Sequence, residues 1–313
     1  MTLLQEKTAA AVRVKNILFA TDFSDASEAA LPYVAALSLR YGSEIHLAHV
    51  LPEVTLLRPG APDPAVMGSI YEDAHSNAQE KMQRTADRLK GFPHKTHIRH
   101  GAIAAVVSEL IREFEIDVLV AGTHGRTGLG KLVMGSVAEE ILRQAVCPVL
   151  TVGPHVVGVA RQNNHRRERE VPLARIAPRE ILYATDFKQV SYGAVAFAAS
   201  LAREFGARLA LLHVIEDYGD HLHEHPGPID ITLRKLEDLV PTDAQLPHPP
   251  EPIAQYGVPA EAILQTAAER GSDLIVLGAR PAEDRLGAAT HLGTAVAHRV
   301  IVNATCPVLT VRG

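Results

Sequence analysis

The sequence predicts an α/β fold in two tandem copies, each a doubly wound parallel sheet of five strands with helices on both faces. Two observations carry this. Three sequence blocks recur in the same order in both halves of the chain, and within each half short β-branched runs alternate with longer stretches of helical period. The strands also read as continuous apolar runs rather than alternating ones, as expected where both faces of a sheet are covered.

The repeats come first, because they set the domain count. Ile17–Pro52, ILFATDFSDASEAALPYVAALSLRYGSEIHLAHVLP, matches Ile181–Glu216, ILYATDFKQVSYGAVAFAASLAREFGARLALLHVIE, with ATDF and HV in register. IDVLVAG at Ile116–Gly122 matches SDLIVLG at Ser272–Gly278, and CPVLTV occurs at Cys147–Val152 and again at Cys306–Val311. A duplicated domain follows, with residues 1–155 as the first copy, 156–178 as a linker and 179–313 as the second. The linker contains GVARQNNHRRERE at Gly158–Glu170, which is polar, arginine-rich and without apolar period, so Arg161, Arg166, Arg167 and Arg169 read as a solvated tether.

In the first copy the strand-like runs are Ile17–Ala20, Glu44–Val50, Thr96–His100, Val118–Ala121 and Val149–Val152, and the helix-like runs Asp25–Arg40, Glu72–Leu89, Ala102–Phe114 and Ser136–Gln144. The second copy is looser between Asp217 and Pro252, where only Ile229–Val240 has helical character, so its second crossover is predicted to be short.

Composition narrows the function classes. The chain has 313 residues, is 47% hydrophobic and 21% charged, and carries a net charge of −5. A protein that wraps nucleic acid carries a basic excess, and this one does not. No apolar run reaches the roughly 20 residues of a membrane span, and the start of the chain lacks a signal-peptide pattern, so a cytoplasmic location is expected. The two cysteines, Cys147 and Cys306, each precede Pro and a closing strand, and read as packing residues. His221, His223 and His225 suggest a metal tract, but Pro226 and Gly227 argue against the helix that would align them, so no metal site is assigned.

In an open parallel sheet, ligands bind beyond the carboxyl ends of the strands where the winding reverses. Thr21 and Asp22 follow the first strand there. After the fourth come Gly122-Thr-His-Gly125-Arg-Thr-Gly-Leu-Gly130-Lys131 and then Gly135-Ser136 opening a helix. Bare backbone amides at a helix mouth form an anion cradle, and phosphate is the obvious guest. Ser136 with Glu139 also reads as a capping box, and Asp25 with Glu28 as the cap of the first helix. A carboxylate at Asp22 would repel phosphate but accept hydrogen bonds from ribose or adenine. His124, Arg126 and Lys131 read equally as cations near a phosphate or as a solvated loop. GxxxxGK occurs at Gly125–Lys131, but Leu132 stands where a P-loop needs Ser or Thr for magnesium, and no dinucleotide GxGxxG follows the first strand. No catalytic nucleophile and base are identifiable.

Gly122-x2-Gly125-x9-Gly135-Ser136, preceded by VLVA and followed by VAEEIL and CPVLTV, resembles the ATP-binding signature of the universal stress protein family, and ATDFSDASEAAL resembles that family's opening. The resemblance covers nearly the whole chain as two copies. It implies flavodoxin-like (Rossmann-like) domains of strand order 3-2-1-4-5, with ATP between the first and fourth strands and magnesium accompanying the triphosphate. By position, Ala20, Thr21 and Asp22 would hold adenine and ribose, Val50 would line the adenine pocket, and Ala121 with Gly122 would flank the ribose. Gly125, Gly135, Ser136 and Val137 would take the phosphates. It further implies pairing of the halves through Val149–Val152 and Val308–Val311, which would cover two exposed strand edges. A homodimer and an unidentified protein partner stay open.

The second copy departs from the pattern. Pro281 replaces the second glycine, removing a backbone donor, and the loop from Gly278 to Thr294 is three residues longer with no serine after it. Thr185, Asp186 and Val214 keep the nucleoside side. The expected function is therefore a nucleotide-dependent stress-response regulator with one competent site, in the first half. The alternative is a slow adenine-nucleotide hydrolase or transferase in the same pocket, drafting Asp22, His124 or Lys131 into catalysis.

Overall fold

The computed structural model describes residues 12–52, 64–123, 134–156, 176–216, 227–241, 244–279 and 296–312. The first half runs β1 (Asn16–Ala20), α1 (Asp25–Tyr41), β2 (Glu44–Leu51), α2 (Pro64–Arg88), β3 (His94–His100), α3 (Ile103–Glu113), β4 (Val118–Gly122), α4 (Ser136–Gln144) and β5 (Val149–Val152). The second runs β6 (Glu180–Ala184), α5 (Gln189–Phe205), β7 (Arg208–Ile215), α6 (Gly227–Glu237), β8 (Glu251–Tyr256), α7 (Pro259–Arg270), β9 (Leu274–Ala279), α8 (Val296–Asn303) and β10 (Val308–Arg312).

All these strands join one ten-stranded sheet in the order β3-β2-β1-β4-β5-β10-β9-β6-β7-β8. Every neighbouring pair is parallel except β5 and β10, which are antiparallel with Leu150 opposite Leu309. Each last strand thus covers the other's edge. The Thr151 hydroxyl donates to the Val308 carbonyl at 3.0 Å, and the Thr310 hydroxyl donates to Val149 at 3.3 Å. Gly153 lies so close to α8 that a Cβ there would stand 3.1 Å from the Ile301 carbonyl oxygen.

The continuous apolar runs have a direct packing cause. Ile17 and Phe19 enter one core and Leu18 the other, all three fully buried, and the same split holds for Ile181, Tyr183 and Leu182. Each core extends across both halves. On one face α1 meets α5: the Tyr41 and Phe205 rings lie 6.5 Å apart, and Arg40 pairs with Glu204 at 3.0 Å. Between these helices an apolar cavity of about 50 Å³ is lined by Tyr33, Leu37, Phe197 and Leu201 among others.

Three local expectations need correction. Helix α2 begins at Pro64 rather than Glu72: its first turns carry Val66 and Ile70 half exposed, so no buried stripe betrays them, while proline suits a first helical position. The cap of α1 is Ser24, not Asp25, because the Ser24 hydroxyl accepts from the Ser27 amide. The cap of α4 is Gly135 with no side-chain hydrogen bond, so Ser136 is the first helical residue and no capping box forms. The second crossover is short, as expected: α6 has 11 residues against 25 in α2.

Cys147 and Cys306 are buried, and burial pushes their thiols up to about 11 and about 12, which suits inert packing residues. No helix among the described residues is long and apolar enough to cross a membrane. The 156–178 linker lies largely outside the described residues, and His221, His223 and His225 wholly so.

Candidate functional site

Strands β1 and β4 are neighbours, with Ala20 opposite Ala121, so their carboxyl ends open the crevice where the winding reverses. Ala121 is buried and Gly122 partly so. Gly122 permits a close approach: a Cβ there would lie 2.8 Å from the Ala26 carbonyl carbon and 2.9 Å from the Ser27 nitrogen. The first turn of α1 therefore comes down onto the end of β4, and any side chain at 122 would wedge them apart.

Asp22 sits at the mouth of this junction. Its Oδ1 accepts the Ser27 hydroxyl at 2.7 Å and the Ser24 amide at 3.0 Å, while its own amide donates to Ser27 Oγ at 3.4 Å. Thr21 is buried and bonded on every side. Its amide donates to Ala48 O at 2.9 Å, its hydroxyl accepts from the Phe23 amide at 2.9 Å, and its carbonyl meets His49 Nδ1 at 2.7 Å. Phe23 takes a left-handed conformation, φ 61°, a strain of roughly 1–2 kcal/mol for a residue with a side chain. Its ring packs on His49 with centroids 4.5 Å apart. Val50, the next residue along β2, is buried.

On the β4 side, the Gly135 amide donates to Thr123 O at 3.0 Å, so the start of α4 meets the end of β4. The Glu139 amide donates to Gly135 O, closing the first turn of α4. The amides of Ser136 and Val137 precede that bond and have no partner inside the helix. Both side chains are exposed. The structure thus brings Ala20, Thr21, Asp22, Ala121, Gly122 and Gly135 to one end of two adjacent strands. Gly125, with His124, Arg126 and Lys131, lies outside the described residues. No group of three or more His, Cys, Asp or Glu is placed to hold a metal among the described residues.

Four contributors escaped the residue-by-residue reading: Phe23, Ser24, Ser27 and His49. Three of them carried a signal in the repeat: Phe23 recurs as Phe187 within ATDF, Ser27 as Ser191, and His49 as His213 within HV, whereas Ser24 is replaced by Lys188.

In the second half Thr185 repeats the role of Thr21. Its amide donates to Leu212 O at 2.9 Å, its hydroxyl accepts from Phe187 at 3.0 Å, and its carbonyl lies 2.8 Å from His213 Nδ1. Asp186 keeps one bond of Asp22, its Oδ1 accepting the Lys188 amide at 3.0 Å, but it is exposed and its Oδ2 pairs with Nζ of the same Lys188 at 3.4 Å, the residue that stands where the first half has Ser24. Pro281 and Thr294 lie outside the described residues.

Comparison with known proteins matches this architecture. The model of the universal stress protein family fits residues 13–153 and again 178–312. Universal stress protein Mb2028c from Mycobacterium bovis is 24% identical over 307 residues, spanning 95% of this chain and 97% of that protein. Universal stress protein MJ0577 from Methanocaldococcus jannaschii is 29% identical over 155 residues, 45% of this chain and 96% of that one. A crystal structure of a universal stress protein from Archaeoglobus fulgidus superposes with a TM-score of 0.63 at 18% identity, covering 95% of this chain and 98% of that one, which supports the fold. With its family model matched twice in sequence order, the chain belongs to the universal stress protein family.

Proposed function

We propose that the first half binds an adenine nucleotide, ATP, at the carboxyl ends of β1 and β4, and that the chain works as a nucleotide-dependent regulator of a stress response. One set of contacts supports the reading: Asp22 bonds to Ser27, Gly122 abuts the Ala26–Ser27 backbone and the Gly135 amide bonds to Thr123, so a carboxylate and the start of α4 both lie at the carboxyl ends of β1 and β4. A carboxylate offers acceptors for ribose hydroxyls, and helix-mouth amides offer donors to phosphate, so the two walls suit the two ends of a nucleotide. Ala20, Val50 and Ala121 supply apolar surface beside the base. Ser136, Val137 and Gly125 complete the phosphate side, and magnesium would come with the triphosphate rather than with a dedicated protein ligand. The nucleotide would bias which surface the chain shows to a protein partner, by differential affinity for two states of the chain. The β5–β10 joint holds the two halves as one unit.

Denaturing the purified full chain and analysing the supernatant by chromatography and mass tests this. About one adenine nucleotide per chain is expected, and none is expected from Gly135→Val, whose side chain fills the space a phosphate needs. Gly293→Val, at the Gly293-Thr294 pair that stands in the second copy near the place of Gly135-Ser136, should leave retention unchanged. Absence of nucleotide from the wild type overturns the reading, and equal loss from both variants overturns the assignment of the site to the first half.

A further inference from the structure

Both halves hold a phenylalanine in the left-handed region immediately after the crevice aspartate: Phe23 at φ 61° and Phe187 at φ 56°. Gly, Asn or Asp usually occupies such a position. A strain present twice calls for supports common to both halves, and within each turn the aspartate Oδ1 accepts the amide two residues on, Ser24 or Lys188, at 3.0 Å. The Thr21 and Thr185 hydroxyls also accept from the strained residues' own amides, and the shared support from outside the turn is a histidine of the next strand. His49 Nδ1 lies 2.7 Å from Thr21 O and His213 Nδ1 2.8 Å from Thr185 O, and the rings face Phe23 and Phe187 at centroid distances of 4.5 and 4.4 Å. A carbonyl oxygen only accepts, so Nδ1 carries the hydrogen in both rings.

We propose that His49 is a positioning residue for the nucleotide site, acting through the Thr21–Asp22 peptide. That peptide is held at both ends: its carbonyl oxygen by His49 Nδ1–H, and its N–H, on Asp22, by Ser27 Oγ at 3.4 Å. Fixing the plane fixes where the Asp22 Cα starts, and the Ser27 and Ser24 bonds to Oδ1 then set where the carboxylate points. The imidazole face against Phe23 closes the turn from the other side. His49 touches no ligand in this scheme; it determines the aim of a residue that does. The inference rests on the nucleotide reading above, and His213 supplies an internal control, since it makes the same lock in the half not assigned a competent site.

The test uses the full chain with ATP as the probe, in calorimetric titration, together with nitrogen-detected imidazole NMR. Asparagine places an amide nitrogen where Nδ1 stands, whereas phenylalanine keeps the ring and loses the donor. His49→Phe should weaken ATP binding roughly tenfold, about the loss of one hydrogen bond, and His49→Asn should recover most of it. His213→Phe should lower the urea midpoint about as much as His49→Phe yet leave the ATP affinity unchanged. Both wild-type rings should read as Nδ1–H tautomers. An affinity within about twofold of wild type for His49→Phe overturns the proposal, as does equal weakening by His213→Phe or an Nε2–H tautomer at His49. If the wild type binds no ATP while both rings are Nδ1–H, the nucleotide reading falls and the lock itself stands.

Discussion

The two halves share a strand order but differ beneath their outer strands, and the difference shows how one fold tolerates two chemistries at equivalent positions. In the first half His46 Nδ1 meets His97 Nε2 at 3.1 Å, and Phe114 packs on both rings with centroids 4.5 and 4.6 Å away. In the second half the corresponding residues are Ala210, Ile253 and Arg270. There Arg270 donates to the buried Glu180 at 2.7 Å and to Glu251 at 2.9 and 2.6 Å, and Arg208 reaches Glu180 at 2.9 Å. The contact to Arg270 also holds the Glu251 carboxyl below its usual range. One half fills the space with neutral rings, the other with a compensated charge.

What both halves keep is equally informative. Asp117 Oδ2 accepts from the Lys15 and Asn16 amides, as Asp273 Oδ2 does from Arg179 and Glu180, fixing the start of β1 and of β6. Gly42 and Gly206 close α1 and α5 in the left-handed region at φ 68° and 70°. With the His49 and His213 locks at the carboxyl ends, both halves keep the residues that hold strand ends, while the residues beneath the outer strand differ.

The sharpest way to break the comparison is to strand the buried charge. Arg270→Ala leaves Glu180, whose side chain is 3% exposed, with only the exposed Arg208, and should cost about 3 kcal/mol in urea unfolding. Adding Glu180→Gln should return part of it. A loss under about 1 kcal/mol would show that the second half does not depend on this compensation.

A second test separates the halves by pH. Burial holds both His46 and His97 below the ordinary imidazole range, with each other's charge adding to the effect at His97; Glu44 and Glu113 oppose it, and Lys95 and Arg99 reinforce it. The unfolded chain takes up these protons near pH 6.5 while the folded chain resists, so stability is full above that pH and falls as the pH drops through the interval down to the folded values. The urea midpoint should fall between pH 7.5 and 5.0, and replacing the pair with the second half's residues, His46→Ala with His97→Ile, should flatten that fall. An unchanged slope would place the acid sensitivity elsewhere.

The smallest effect lies at the helix starts. Ser24 caps α1, whereas Lys188 at the same place on α5 makes no side-chain cap. Ser24→Ala should cost about 1 kcal/mol, and Lys188→Ser should gain a few tenths of one. A neutral Ser24→Ala would mean that its bond to the Ser27 amide, 3.4 Å long, contributes nothing.

Much of this was legible in the residues. The recurrence of ATDF, HV and CPVLTV marks a duplication, and the unbroken apolar runs mark strands covered on both faces, because burying alternate residues in different cores leaves no polar positions. Gly122 stood out for its motif, and its tight contact with α1 gives a packing reason for glycine there. The start of α2 was not legible, since exposed turns carry no periodic apolar stripe. Nor was the Ser24 cap: Ser24 and Asp25 both suit that position, and only the geometry chose between them.

Taken alone, the sequence determined which segments become strands and helices, that they occur twice, and where glycines and an aspartate would cluster at strand ends, because these depend on local period and turn chemistry. The tertiary structure alone decided that β5 and β10 lie antiparallel with Leu150 facing Leu309, that His49 reaches back to Thr21, and that a histidine pair in one half answers an arginine clamp in the other. These are bonds between residues far apart in the chain, and a pattern of nearest neighbours holds no record of them.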